Sequence, residues 1–371
     1  MTKMRTGKTA LLCAGGTGGH MFPAQALAGE LAARGWVVHL ATDERGLRYS
    51  GEFAEGAVHV VRSATFASKN PIKLARTGWT LLSGYLAARQ LVKRLGADVC
   101  VGFGGYPTVP PVMAAAHLGV PTVLHEQNAV LGRANALLER SAKAVAAGFS
   151  SDSLPDRAFI MGNPLRATVL DIARRLGQSD APYTASKDGE PFDLLVFGGS
   201  QGATFFGEVV PAALAHLSET ERGRLRLTLQ ARDEAVAAVK TALAPLVGHA
   251  DVAPFFKDMP ERIKRAHLVV ARAGASTVSE IAAIGRPSIL VPYPHALDHD
   301  QAANAQQIVE RGGAVLARQQ ALTPEALADH IRQAMAEPER LAAQAHAAAM
   351  TAQLYAAEQL ADLVVSIAEQ G

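Results

Sequence analysis

Four glycines, a threonine and a histidine stand together at Gly15-Gly-Thr-Gly-Gly-His20, directly after the apolar residues 9–13. Half a chain later a turn of the same build, Gly198-Gly-Ser-Gln-Gly202, follows the apolar stretch 192–197. In both, a buried-strand pattern enters glycines that let the backbone turn tightly, and a helical pattern follows. Such a turn aims backbone N–H groups and a helix N-terminus at whatever lies above the strand, which favours phosphate. His20 opens the first helix. An imidazole placed there can take up a proton near neutral pH; the alternative is a capping or supporting histidine, and residue chemistry alone leaves the two level.

Other loops carry further polar chemistry. Gly102-Phe-Gly-Gly-Tyr106 and His125-Glu-Gln-Asn128 each follow an apolar strand, and in open α/β sheets ligands lie outside the carboxyl ends of strands. Glu126 and Gln127 read as residues that hold loops together, and Asn128 as a sugar-hydroxyl contact or a turn residue. In the second half, Ser200 and the helix N-terminus beside it suit phosphate. Gly274-Ala-Ser-Thr-Val-Ser-Glu280 is another strand-to-helix turn, whose Glu280 can accept two hydrogen bonds from ribose hydroxyls or serve as a first-turn helix acid. Arg166, after Gly162-Asn-Pro-Leu, can grip a phosphate or a base edge bidentately. The first loop departs from the dinucleotide fingerprint, because Met21 stands where the third glycine belongs. Asp43 does follow the second strand, so a nicotinamide-dependent oxidoreductase is weakened as a reading and not removed.

Short apolar stretches alternate with helical ones, the pattern of βαβ units and a parallel sheet. Strands are expected at 9–13, 37–42, 58–61, 98–102, 122–125, 144–147 and 159–161, then at 194–197, 225–230, 251–255, 268–271, 289–291 and 314–316. Helices are expected at 22–34, 81–95, 231–243 and 276–284, with a last one over about 342–369. The polar segment 177–191 reads as an exposed loop just inside a second domain, and the hinge is expected near residues 162–164, where proline ends a strand. The expected domains are residues 1–163 and 164–344, with a C-terminal helix of about 345–371 rejoining the first.

At 371 residues the chain is long enough for two domains. It is 49% hydrophobic and 19% charged with a net charge of +2, which gives no global case for nucleic acid. Cys13 and Cys100 lie in apolar strand-like stretches and read as small core residues of a protein from a reducing compartment. Residues 99–124 contain no Asp, Glu, Lys or Arg, yet Pro107, Pro110, Pro111 and Pro121 would break a spanning helix, so a soluble chain is expected. Between Glu55 and Asp98 the only charged residues are basic: Arg62, Lys69, Lys73, Arg76, Arg89, Lys93 and Arg94. Apolar residues including Phe66, Ile72, Trp79, Leu82 and Leu86 are interleaved with them, a composition suited to lying on anionic lipid as well as to an ordinary surface helix.

Together the motifs Gly15–His20, Gly104-Gly-Tyr106, His125–Asn128, Gly162–Arg166, Gly198–Ala203, Gly274 with Thr277–Glu280, and Asp298-His-Asp-Gln301 with Asn304 resemble one family. It is that of the membrane-associated UDP-N-acetylglucosamine (UDP-GlcNAc) transferases of peptidoglycan synthesis, in glycosyltransferase family 28, which convert lipid I to lipid II. The resemblance implies an α/β fold of GT-B type: two Rossmann-like domains with parallel sheets facing across a cleft, the second binding the donor and the first the acceptor. By family position Thr17, Gly18, Gly19, Asn128, Arg166, Ser200, Phe256, Ala275, Ser276, Thr277, Val278, Ser279, Glu280 and Gln301 contact UDP-GlcNAc, with Phe256 acting through its backbone. Gly15, Gly16, Gly104, Gly105 and Tyr106 are implied at the acceptor pyrophosphate, and His20 as the base that deprotonates the MurNAc C4 hydroxyl for an inverting attack. Some members carry Gln-Gln where this chain has Asp300-Gln301, so only Gln301 is carried over.

Lipid I, anionic inner-leaflet phospholipid and other cell-wall synthesis proteins are the implied partners, at the cytoplasmic face of the bacterial inner membrane. Lys69, Ile72, Lys73, Arg76, Trp79 and Leu82 form the expected membrane patch. No nucleic acid, no cofactor and no protein-bound metal are expected. The competing readings are a UDP-sugar 2-epimerase of the same architecture, the oxidoreductase, and a non-catalytic lipid-sugar binding protein.

Overall fold

A computed structural model describes residues 7–51, 53, 54, 56–61, 71–199, 204–294 and 300–370, apart from the side chains of 71–78 and 81. The chain divides into two units, Met1–Arg166 with Leu354–Gly371, and Ala167–Gln353.

The sheet of the first unit contains β1 (Thr9–Cys13), β2 (Val37–Thr42), β3 (Val58–Val60), β4 (Val99–Gly102), β5 (Thr122–Glu126), β6 (Ala144–Ala147) and β7 (Phe159–Ile160). Their spatial order is β3-β2-β1-β4-β5-β6-β7. The sheet of the second unit contains β8 (Phe192–Phe197), β9 (Leu225–Gln230), β10 (His249–Ala253), β11 (Leu268–Ala271), β12 (Ser288–Leu290) and β13 (Ala314–Leu316), in the order β10-β9-β8-β11-β12-β13. All pairings are parallel, as in β1 with β4 and β8 with β11. Both sheets are doubly wound, with a topological switch point where the order reverses: between β1 and β4, and between β8 and β11.

Helices cover both faces of each sheet, so the central strands are apolar throughout rather than alternating. In the first unit Ala10 and Leu12 face Leu27, Leu31, Leu360 and Val364, while Leu11, Cys13 and Cys100 face Leu91, Val92 and Val112. The two cysteines are free, buried, and 3.6 Å apart at sulfur, and burial pushes the Cys13 thiol up. They are core residues.

Four helices differ from their sequence expectation by more than a residue, the one expected at 231–243 being a 3-10 turn at Asp233–Ala235 followed by an α-helix at Val236–Leu243. The first spans Gly18–Ala33 rather than 22–34. Pro23 suits a helix start, but coiling begins at the glycines behind the extended Thr17, and Pro23 sits inside the helix without an N–H to give the carbonyl of Gly19. The helix expected at 81–95 runs from Pro71 to Leu95. The single C-terminal helix is two, Pro338–Ala349 and Ala356–Glu369. Between them Thr351 donates both its backbone N–H (3.0 Å) and its hydroxyl (2.7 Å) to the carbonyl of Ala348, closing the first helix where the chain leaves one unit for the other. The segment 177–191 is largely exposed, but Tyr183 donates its hydroxyl to the His267 carbonyl at 2.9 Å, and Ser186 is buried.

Candidate active site

At the first switch point the loops leaving β1 and β4 are zipped together. Phe103 N–H donates to Cys13 O at 2.8 Å and Gly15 N–H to Gly104 O at 3.0 Å. Gly104 and Gly105 hold φ of +86° and +80°, a left-handed conformation that favours glycine. At Gly16 a Cβ would overlap the Asp43 carboxylate. Thr17, in extended conformation, precedes the helix, so the N–H groups of Gly18 and Gly19 lie in a first turn with no intrahelical acceptor.

His20 stands in that first turn. Its Nδ1 is 3.0 Å from Thr17 Oγ1. Its ring is bracketed by glycines: a Cβ built on Gly15, Gly104 or Gly105 would lie 3.2–3.5 Å from ring atoms. The residue keeps part of its surface exposed, yet its imidazole is enclosed. Loss of water there pushes its pKa down to about 4, with the Arg45 cation adding to the shift and Asp43 opposing it. His20 is therefore neutral at pH 7, with Nε2 left as acceptor when the ring hydrogen is assigned to Nδ1 and donated to Thr17. Asp43 itself pairs with Arg45 at 2.7 Å and accepts from Gly46 N–H at 3.2 Å. Tyr106, 37% exposed, opens the short turn behind Gly105.

The loop after β5 is organised by Glu126. One carboxylate oxygen accepts from the backbone and side chain of Asn128 (3.0 and 3.2 Å), the other from Gly132 N–H (2.9 Å) and Asn135 Nδ2 (2.8 Å). Burial raises its pKa and these donors pull it back. His125, fully buried, donates from Nε2 to Gly162 O at 3.1 Å and accepts at Nδ1 from Gln127 at 3.0 Å, an assigned tautomer; burial pushes it down to about 4. Glu126 and Gln127 thus hold loops together. Asn135 also reaches the first switch point, since a Cβ on Gly104 would be 3.5 Å from its Nδ2. Arg166 lays its guanidinium 4.6 Å over the ring of Phe22, on the helix that carries His20 in its first turn. The fold thereby collects Gly15, Gly16, Thr17, Gly18, Gly19, His20, Gly104 and Gly105 at one switch point, with Arg166 against the same helix and Asn128 one strand over.

At the second switch point Arg272 N–H donates to Phe197 O at 3.4 Å, joining the ends of β11 and β8. Ser200 lies outside the described residues. Gln230, buried at the end of β9, takes Gly198 N–H at Oε1 (3.3 Å) and donates from Nε2 to Pro254 O (3.0 Å), tying the glycine turn to the loop that carries Phe256. Phe256 is buried under the Arg262 guanidinium at 4.1 Å. Gly274 precedes the helix Ala275–Ile284; Ala275 and Val278 are buried, and Ser276, Thr277 and Ser279 half-buried. Glu280 is 7% exposed and stands in the second turn, past the first turn to which the dipole effect is confined. Buried Asn304 donates to Ala273 O at 3.2 Å, and Gln301 Oε1 accepts from Tyr293 N–H at 2.9 Å, so the helix Asp300–Glu310 is fastened beside the Gly274 turn.

Of the expected membrane patch, Lys69 lies outside the described residues, and Ile72, Lys73 and Arg76 fall on the helix Pro71–Leu95. Trp79 (72% exposed) and Leu82 (50%) project from that helix, and Leu86 shares their face at i, i+3, i+7 spacing. No helix among the described residues is long and apolar enough to cross a membrane.

Sequence reasoning did not single out Gln230, Arg272 or Asn135. Each is a buried polar residue whose partners lie seven or more residues away. The one local signal was a charge placed directly behind an apolar strand, at Arg272.

Two doubly wound domains with glycine turns at both switch points define a two-domain nucleotide-binding α/β enzyme. Residues 10–147 match the glycosyltransferase family 28 N-terminal domain and residues 193–363 the family 28 C-terminal domain. The chain is 54% identical over 361 residues, covering 96% of its length and 94% of the relative's, to the UDP-N-acetylglucosamine--N-acetylmuramyl-(pentapeptide) pyrophosphoryl-undecaprenol N-acetylglucosamine transferase of Brucella abortus strain S19. Among solved structures it is similar to MurG of Acinetobacter baumannii, with a TM-score of 0.77 and 28% identity over 97% of this chain and 99% of that one. A UDP-GlcNAc 2-epimerase from Neisseria meningitidis shares the fold at a TM-score of 0.64, with 10% identity over 96% of this chain and all of that one. The chain belongs to glycosyltransferase family 28 and is a glycosyltransferase of GT-B fold.

Proposed function

We propose that this enzyme transfers GlcNAc from UDP-GlcNAc, with inversion, to the C4 hydroxyl of MurNAc in undecaprenyl-pyrophosphoryl-MurNAc-pentapeptide (lipid I), giving lipid II and UDP. The observation that carries the reading is the 54% identity over 96% of the chain to a transferase named for that reaction. The epimerase shares only the fold.

In this reading His20 is the general base. Its neutral Nε2 takes the C4 proton as the oxygen attacks the anomeric carbon, the bond from that carbon to the diphosphate oxygen breaks, and UDP leaves with the electron pair. The low pKa keeps the base unprotonated at neutral pH. The acceptor pyrophosphate is assigned to the glycine loops beside it, at Gly15, Gly16, Gly104, Gly105 and Tyr106. The donor is held by Thr17 and the first-turn N–H groups of Gly18 and Gly19, by Asn128 and Arg166, and in the second unit by Ser200, the backbone of Phe256, the turn Ala275–Glu280 and Gln301. Glu280 takes the ribose hydroxyls, and the helix N-terminus behind the Gly198 turn meets the diphosphate.

The domains proposed for these roles are residues 1–163 and 164–344, the C-terminal helix completing the first. The exposed Trp79–Leu82–Leu86 face, flanked by the basic residues of its helix, supports peripheral docking on anionic lipid of the inner leaflet, where the acceptor is anchored.

Incubation with labelled UDP-GlcNAc and a lipid I analogue tests the reading. UDP should be released only when the acceptor is present. Epimerised sugar formed without acceptor, or no turnover at all, would overturn it.

A further inference from the structure

Arg272 is the first residue after β11, at the second switch point. Its backbone is bonded to the last residue of β8, from which the Gly198-Gly199 turn departs. Its side chain turns into the protein and is 6% exposed. Nη1 donates to the carbonyls of Val291 (3.1 Å) and Pro292 (3.2 Å), and Nη2 to Gln319 Oε1 (2.6 Å). The guanidinium also lies over Phe205 at 5.6 Å, Phe206 at 5.1 Å and Tyr293 at 5.4 Å. It is thus enclosed by the strand and helix on either side of the 198–203 turn and by the segment leading to Gln301.

Among the described residues every acceptor around it is neutral. Other arginines of this unit have carboxylates: Arg262 pairs with Asp251 and Asp258, and Arg226 with Asp193. Arg286 resembles Arg272 in being buried without a carboxylate, but it donates to the carbonyls of Lys264, Ile284 and Gly285 at two helix C-termini, where the dipoles favour a cation. The carbonyls that hold Arg272 follow a strand, so no helix end offsets its charge. A guanidinium stays charged in proteins, and burying one without a counter-charge is costly unless an anion comes to meet it.

We propose that Arg272 is a positioning residue for the donor diphosphate: it braces the loops on both sides of the Gly198 turn and holds an uncancelled positive charge beneath them, so that the turn is tuned for an anion. This rests on the donor assignment above. It differs from a purely mechanical brace in one respect, since a brace would matter equally for any ligand of the site, whereas a charge matters for the phosphates.

The test is calorimetric binding of UDP and of uridine to the full-length wild-type protein and to Arg272→Met and Arg272→Lys. Methionine keeps much of the apolar packing and removes the charge; lysine keeps the charge and loses the fork. Arg272→Met should weaken UDP at least tenfold and uridine less than twofold, and should flatten the salt dependence of UDP binding. Arg272→Lys should recover most of the ratio of UDP to uridine affinity. Equal weakening of both ligands, or a lysine variant whose ratio collapses although its charge remains, would overturn the inference. If the methionine variant does not fold, the lysine ratio alone decides. A wild-type protein that binds neither ligand would instead count against the donor assignment.

Discussion

At the β1/β4 switch point a histidine is stripped of solvent and kept neutral, while at the β8/β11 switch point an arginine is buried with its charge intact. Both sit behind glycine turns on sheets of the same strand order. What differs is the packing around them. Gly15, Gly104 and Gly105 bring bare backbone against the imidazole, which removes water and supplies no counter-charge for a proton. Phe205, Phe206, Tyr293 and three oxygen acceptors surround the guanidinium with groups that tolerate a cation. One kind of doubly wound sheet can thus hold a neutral imidazole at its switch point or a charged guanidinium there, by choice of the side chains that line the loops.

The comparison breaks most directly at His20. His20→Ala should lower kcat by about 10²- to 10⁴-fold with little change in UDP-GlcNAc affinity, read by steady-state kinetics and calorimetry. A variant with near-normal kcat would leave the first switch point without its base. The pH profile sharpens the same point: because the folded-state value is near 4, the acid limb of kcat/KM assigned to this group should fall well below the ordinary histidine value of 6.5.

The same depression has a stability consequence, largest for fully buried His125. As pH falls through 6.5 the unfolded chain takes up a proton that the folded chain refuses until about 4. Stability should therefore drain away across that window, by about 3 kcal/mol for His125. Hydrogen exchange at pH 7 and pH 4.5 should show protection lost first around β5 and β6. Equal loss in both units would mean that the titrating histidines of the second unit, His267 and His330, matter as much. At a similar scale, Arg286→Ala removes the donors to the Lys264, Pro182, Ile284 and Gly285 carbonyls and should cost the second unit about 3 kcal/mol, seen as a lower denaturant midpoint.

Smaller effects are expected where the donor is merely held. Glu280→Ala should cost about 1–3 kcal/mol of UDP-GlcNAc affinity with the fold intact. An unchanged KM would leave Glu280 a purely structural acid. Trp79→Ser with Leu82→Ser should weaken sedimentation with anionic vesicles several-fold while leaving turnover of a soluble acceptor analogue untouched; unchanged vesicle binding would place the membrane face elsewhere.

The strands were legible because a parallel sheet covered on both faces must be built from short apolar stretches, and Leu11–Leu12, Val99–Val101 and Val269–Val270 leave little else for those residues to do. Where their ends moved it was by one or two residues: His249, for example, pairs in β10 although its exposed side chain gives no apolar signal. The start of the first helix was hidden because glycines carry no periodicity. The break near Thr351 was hidden because alanine-rich sequence is helical on either side of it. The glycine turns and His20 could be found by residue type. Gln230, Asn135 and Arg272 could not, since a buried hydrogen bond between distant segments leaves no spacing to read.

The first unit closes its core with residues from the far end of the chain: Leu360, Ala361 and Val364 are fully buried against Ala10, Leu12, Leu27 and Leu31. The second unit is one continuous stretch. On a ribosome, where domains ordinarily mature in the order they emerge, that sequence is inverted. The second domain can complete itself without the last helix, while the first still waits, one flank of its sheet uncovered, for the helix that is made last. A chain truncated after residue 353 should yield a protease-resistant second domain beside a labile first one.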